Sequence, residues 1–251
     1  MTPRVRPHVL DDDPQAPFPP ASEALRDPDG LLAIGGDLAV ARLLAAYRAG
    51  IFPWYSDGQP ILWWSPDPRM VFRTDRVHLS TRFRRDLRRS DWTVRADTSF
   101  EAVVAACATT ARPGQRGTWI TADMQRAYSR LHDLGHAHSI EVVDGAGGLA
   151  GGLYGVAIGR MFFGESMFST RSGGSKVALA ALAWRLAGWG WPLLDAQVGN
   201  PHLYTMGGEA WPRPRFLDTL RALVAEPGRD GPWTGAFGTV CAAELAAAAG
   251  R

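Results

Sequence analysis

Residues 161–176, MFFGESMFSTRSGGSK, set a single carboxylate, Glu165, among Met161, Phe162, Phe163, Met167 and Phe168, then add a glycine pair and the chain's one lysine, Lys176. An ionised carboxylate surrounded by hydrocarbon is costly unless it is paired. Glu165 is therefore either a buried, hydrogen-bonded support of the fold or the floor of a site that receives a cation. A second pair, Asp195 and Gln197, lies in the segment WPLLDAQV. Two residues apart on a strand, these side chains share a face while Ala196 points away. An acid and an amide so placed can act as a relay, the carboxylate orienting the amide and the amide touching a substrate. Alternatively, each caps a neighbouring turn. Lys176 begins a predicted helix, where the dipole disfavours a cation, so it requires a partner, either a phosphate or Glu165 itself. His138, alone between small residues of a predicted strand, reads as a structural histidine.

A further concentration of chemistry is basic. Of 27 basic residues 26 are arginine, in a chain whose net charge is only +2. Arg69, Arg73, Arg76, Arg82, Arg84, Arg85, Arg88, Arg89 and Arg95 fall within one short stretch. Ser80 or Thr81 is suited to cap a short helix there, on which Arg85, Arg88 and Arg89 stand at i, i+3 and i+4 on one face. Such a face either attracts phosphates, with salt-dependent binding, or is a solvated surface in a chain that uses Arg for Lys.

The elements that must position these residues follow from composition and period. At 251 residues, with 46% apolar and 21% charged side chains, the chain is that of a folded globular protein. Cys107 and Cys241 are too few and too far apart for a disulfide framework or a zinc site. No N-terminal basic-then-apolar segment is visible, and no apolar run reaches the roughly 20 residues of a membrane span. The expected compartment is the cytoplasm, with no membrane and no metal. Residues 1–30 carry seven prolines and read as extended loops. A helix is predicted from about Asp37, with Val40, Leu43, Leu44 and Tyr47 in one stripe and Gly50 as its stop. The Trp- and Pro-dense GIFPWYSDGQPILWWSPDPRMVF predicts folded loops and short strands. A second helix opens on a capping box, Thr98-Ser99-Phe100-Glu101, and buries Phe100, Val103, Val104 and Cys107. A third starts near Thr121 and carries Met124, Ala127, Tyr128 and Leu131.

After Gly135 the period becomes extended. AHSIEVVD, GGLAGGLYGVAIG and GRMFFGESMF are predicted as three consecutive strands joined by Gly turns. GGSKVALAALAWRLAGWG is a helix and WPLLDAQV a buried strand, and strand, helix, strand implies a right-handed crossover and a parallel pair. Glu165, Asp195 and Gln197 then gather toward the carboxyl ends of that pair, where open α/β sheets place ligands. Two helices, an antiparallel meander and a closing βαβ unit predict an α+β fold with the Gcn5-related N-acetyltransferase (GNAT) architecture, in which the parallel strands splay and the acyl donor enters the gap. The expected division is a small N-terminal α/β domain, residues 1–67, and a GNAT-like catalytic domain, residues 68–251. The latter closes with a loop, a short helix near 215–225 and an Ala-rich tail. The pyrophosphate loop of that fold, [Gln/Arg]-x-x-Gly-x-[Gly/Ala], does not fit: read from Arg171, RSGGSK puts Lys176 in place of the final small residue. GAGGLAGGLYG lies inside the meander and opens no helix. An acetyl-CoA-dependent N-acyltransferase is thus the weaker enzymatic reading. A non-catalytic RNA-binding module, using the Arg helix and exposed aromatics, is a further alternative.

The segments GLLAIGGDL, RLLAAYRAGIFPWYSDGQPILWWSPDPR, GTWIT, GHAHSIEV, GGLYGV, FFGESMFS and LLDAQV occur in that order over roughly residues 29–216. They resemble the bacterial leucyl/phenylalanyl-tRNA–protein transferase family. Two departures stand out. Gly173-Gly174-Ser175-Lys176 replaces the family's usual Asn-Ala-Ser-Lys, and Asp195-Ala196-Gln197 replaces Asp-Cys-Gln, so the cysteine of that motif is dispensable as a nucleophile here.

The resemblance implies an aminoacyltransferase without a cofactor. It would take Leu or Phe, and Met less well, from Leu-tRNA or Phe-tRNA and join it to the N-terminal Arg or Lys of a protein, marking that protein for N-degron proteolysis. It also implies roles: Asp195 polarises Gln197, which contacts the amine or ester carbonyl, and Glu165 faces the cationic acceptor. Trp54, Trp119, Leu153, Phe162 and Met167 would form the donor side-chain pocket. Arg82, Arg84, Arg85, Arg88 and Arg89, with Lys176, would bind tRNA, and His202 would help position the acceptor.

Overall fold

Prolines between residues 6 and 30 leave little regular structure there beyond a three-residue strand, β1 (His8–Leu10), and one turn of 3-10 helix at Ala21–Glu23. The computed structural model describes residues 6–110 and 118–248. β2 (Leu31–Gly35) is followed by α1 (Val40–Arg48), β3 (Phe52–Pro53) and β4 (Leu62–Trp64), and the four strands form one sheet of order β1-β2-β4-β3. α1 buries Leu43, Leu44, Ala46 and Tyr47, and the chain turns out of it at Gly50, whose φ of +74° ends a helix at little cost. Arg42, fully buried on α1, donates to the backbone carbonyls of Asp11 and Asp13 and pins the irregular start of the chain.

The rest of the chain builds a larger sheet. In order come β5 (Arg69–Arg73), α2 (Thr81–Leu87), β6 (Thr93–Ala96), α3 (Phe100–Thr109), α4 (Ala122–Asp133), β7 (Ala137–Val143), β8 (Leu149–Ile158) and β9 (Met161–Ser169). They are followed by α5 (Gly174–Gly188), β10 (Leu193–Gln197), α6 (Pro201–Thr205), β11 (Glu209–Trp211), α7 (Arg213–Ala225), α8 (Thr234–Phe237), β12 (Val240–Cys241) and α9 (Ala242–Ala248). The strand order is β11-β5-β10-β9-β8-β7-β6-β12. β6 to β9 form an antiparallel meander, and α5 carries the chain across to β10, which pairs parallel with β9. The fold is α+β, with the meander, crossover helix and parallel pair on which the GNAT-like expectation rested.

Two apolar cores flank this sheet. One joins Leu43, Tyr47 and Trp63 to Phe100, Tyr128, Tyr154 and Phe163, so both sheets contribute to it. The other holds the apolar side of α5 against Phe72, Phe162, Leu194 and Trp233. The capping box expected at α3 is absent. Ser99 occupies the N-cap position without a side-chain bond. Its neighbour Thr98 gives its hydroxyl (2.7 Å) and its backbone N–H (3.3 Å) to Glu141. Glu141 is a buried carboxylate on β7 that needs donors more than the helix end does.

Candidate active site

The site arises where the parallel pairing of β9 and β10 stops. The ladder runs from Met161–Leu193 to Phe163–Asp195, then a bulge interrupts β10 between Asp195 and Gln197, and Gln197 takes a φ of +60°. Positive φ in a non-glycine residue is uncommon and marks a backbone held by its surroundings. Beyond the last pair a cavity of about 390 Å³ opens between Gly164–Met167 of β9 and Ala196–Asn200. Trp54, Trp119, Leu153, Phe162 and Met167, the five expected pocket residues, all line it, as do Glu165 and Gln197. Ala196 lines it too.

Glu165 is buried at the polar end of this cavity. Its Oε1 accepts from Tyr47 Oη (2.7 Å) and Gln197 Nε2 (2.7 Å), and its Oε2 accepts from Tyr128 Oη (2.8 Å). The two tyrosine hydroxyls also touch each other. Desolvation lifts the Glu165 pKa to about 7, against the opposing effect of the Tyr47, Tyr128 and Gln197 bonds. Both tyrosines are raised well above their ordinary pKa, first by burial and next by the adjacent Glu165 charge.

Asp195 has a different environment from the one its spacing suggested. It is fully buried, and its two oxygens take a bidentate pair of bonds from the equally buried Arg69 (2.8 and 2.7 Å). Arg69 also donates to the Gly50 carbonyl, and its guanidinium lies between the Phe52 and Phe216 rings at 4.8 and 4.7 Å. Asp195 touches Gln197 only through the backbone N–H of the bulge (2.9 Å), and the carboxylate on the Gln197 side chain is that of Glu165. The expected contact between the Asp195 carboxylate and the Gln197 amide is replaced by these two.

Arg69, Tyr47 and Tyr128 were not singled out by spacing. Arg69 is one arginine in a dense run of them, and nothing in residue type separates the buried one from the rest. The tyrosines fell on helix stripes read as core. Their signal was the choice of Tyr over Phe, since a buried phenol needs a partner.

The basic face is shorter than expected. Ser80 caps α2 by accepting from Phe83 N, and the helix ends at Leu87, which is buried. Arg88 is its C-cap, still in the α region, and Arg89 lies one residue beyond it, so of the expected face only Arg85 belongs to the helix proper. Arg82, Arg85, Arg88 and Arg89 are nevertheless exposed, with Arg84 half-buried. Lys176 makes no bond to Glu165. Its Nζ stands 5.8 Å over the Phe83 ring of α2. The adjacent glycines serve close approach: a Cβ on Gly174 would meet the Ala150 carbonyl at 2.1 Å, and one on Gly173 the Phe83 ring at 2.4 Å. His138 is buried with Nδ1 2.8 Å from Asp97 and its ring stacked on Trp233, the structural placement expected of it. His202 lies half-buried on α6, beside the cavity rather than in it.

Comparison with known proteins gives these observations a family. Residues 71–221 match the model of the leucyl/phenylalanyl-tRNA protein transferase, and residues 36–67 match that of its N-terminal domain. The chain is 67% identical to the leucyl/phenylalanyl-tRNA–protein transferase of Xanthomonas axonopodis pv. citri (strain 306), over 95% of this chain and 96% of that protein. It is 60% identical to the enzyme of the same name from Xylella fastidiosa (strain M23), over 96% of this chain and 98% of that one. Among solved structures, a GCN5-related N-acetyltransferase from Kribbella flavida is similar with a TM-score of 0.37 at 13% identity, over 81% of this chain and 77% of that chain. The chain belongs to the leucyl/phenylalanyl-tRNA protein transferase family.

Proposed function

We propose that the cavity between β9 and β10 holds the aminoacyl ester of a charged tRNA while the N-terminal amine of an acceptor protein attacks it. The chain is an aminoacyltransferase that moves an amino acid from tRNA to proteins. The observation that carries this reading is one cavity with largely apolar walls, lined also by Gln197 and by the Glu165 to which its amide is bonded. An ester is already activated, so amide formation from it is downhill. What remains is to hold two substrates together, to use a deprotonated α-amine of pKa about 8, and to stabilise an oxyanion.

The walls favour Leu and Phe, and Met less well, through shape. One methylene in such a pocket is worth roughly 1–3 kcal/mol, and β-branched side chains clash near the ester. With Nε2 engaged by Glu165, Gln197 offers its Oε1 to the attacking amine. Asp195 acts at one remove, holding the bulge through the Gln197 N–H, and is a positioning residue. Glu165, when ionised, adds negative potential toward the cationic N-terminal Arg or Lys of the acceptor. Arg82, Arg84, Arg85, Arg88, Arg89 and Lys176 supply contacts to tRNA phosphates. The product would carry an N-terminal Leu or Phe that marks it for cytoplasmic proteolysis.

The test is transfer of labelled Leu from Leu-tRNA to an Arg-initiated peptide in buffer without ATP or acetyl-CoA. Label in the peptide is the expected result. Equal binding of charged and uncharged tRNA without any transfer would favour an RNA-binding module instead.

A further inference from the structure

Beside the cavity mouth two large apolar side chains face solvent, Val198 at 42% and Tyr204 at 51% exposure. Val198 lines the mouth itself. Tyr204, on α6, leans over Gly199 of the same rim, where a Cβ would stand 3.2 Å from its hydroxyl. Its ring is stacked on no other ring among the described residues. Two residues earlier on α6 is the half-buried His202, whose pKa is lowered by burial and then by the neighbouring charge of Lys176. Lys176 has no carboxylate partner among the described residues and sits in the first turn of α5, where the helix dipole opposes a cation. It in turn overlies Phe83 of α2, between the exposed Arg82 and Arg85.

The exposed aromatic and the imidazole lie on one short helix beside the cavity, the imidazole feels the charge of Lys176, and Lys176 overlies Phe83 among the arginines of α2. An aromatic face near a group of cations is how single-stranded nucleic acid is held. An unpaired cation at a helix start has an electrostatic reason to exist if a phosphate passes over it. We infer that the single-stranded 3′ end of the donor tRNA leaves the cavity across α6, with Tyr204 stacking the base of the nucleotide that precedes the terminal adenosine and with His202 and Lys176 receiving phosphates on the way to α2. This rests on the transferase reading and adds the direction of the strand and a stacking residue to it.

Two donors separate the possibilities: Leu-tRNA, and leucyl-adenosine, which lacks every nucleotide before the last. Tyr204→Ala should raise KM for Leu-tRNA relative to KM for leucyl-adenosine by roughly tenfold, the scale of one lost base stack. Tyr204→Phe keeps the ring and should preserve the wild-type ratio. Lys176→Gln should lower the slope of log KM against log salt by about one for Leu-tRNA. An unchanged KM ratio in Tyr204→Ala, or equal losses on both donors, overturns the path across α6 while leaving the transferase intact. An unsubstituted chain that transfers Leu from neither donor overturns the activity and the path together.

Discussion

A carboxyl group with donors at 2.7, 2.7 and 2.8 Å would ordinarily remain ionised, yet burial lifts Glu165 to about 7. The consequence for stability has a definite sign. Between about pH 4.5 and 7 the folded chain keeps a proton that the unfolded chain has released, so Glu165 favours folding at low pH, and that contribution is lost as pH rises through about 7. The window corresponds to on the order of 3 kcal/mol. Glu165→Gln, which imitates the protonated form, should flatten the fall in melting temperature between pH 5 and pH 8, a fall of roughly 5 °C or more in the wild type. Parallel melting curves for the two proteins would show that Glu165 does not titrate there. Asp195 and Gln197 should separate in a different way. Asp195→Ala leaves the Arg69 guanidinium buried without a counter-charge and should cost roughly 3–5 kcal/mol of stability. Gln197→Ala takes one donor from the buried Glu165, should cost only roughly 1–3 kcal/mol of stability, and should lower kcat by about one to three decades. A stable, slow Asp195→Ala protein would return that residue to the reaction itself.

At the scale of elements, strong periodicity was legible and side-chain rivalry was not. The meander, α5 and the parallel β10 follow directly from period 2, period 3.6 and Gly turns; three of the five pocket residues, Leu153, Phe162 and Met167, lie on that meander, while Trp54 and Trp119 come to the cavity from loops. The bulge at Gln197 left no trace in the residue types of LLDAQV, and with it the true partners of Asp195 stayed hidden. The capping box at Thr98 failed because a buried carboxylate on another strand, Glu141, claimed its donors. α2 ends at Leu87, with Arg88 as its C-cap and the Ser90 hydroxyl on the Leu87 carbonyl, which shortens the expected arginine face but leaves Arg82, Arg85, Arg88 and Arg89 exposed. Charge rather than helical alignment governs phosphate attraction, so the triple change of Arg85, Arg88 and Arg89 to Glu should still weaken Leu-tRNA binding. It should also reduce the salt slope by about two to three, with the choice of Leu over Val unaltered. A slope equal to wild type would make this stretch ordinary solvated surface.

For the molecule as a whole, the large sheet is closed at each edge by a short strand that comes late in the sequence. β11, three residues long, covers β5, and β12, two residues long, covers β6. Trp233 prepares the second closure: its N–H donates to Asp97 at 2.6 Å and its ring stacks on His138. A chain ending at Gly231 loses this anchor together with β12 and α9, and exposes the ladder groups of β6. It should self-associate in light scattering and melt several degrees lower. A monomer with the full-length melting temperature would mean that the β6 edge needs no cover. Short edge strands are a recognised defence against unwanted pairing. Here that defence is deferred. On the ribosome the six inner strands, β5 to β10, emerge before either cover exists, so the nascent chain passes through a stage with two open ladders of N–H and C=O groups. The first of these closes near residue 211 and the second only near residue 241, so the need for a chaperone is greatest before β11 arrives and ends when β12 covers β6.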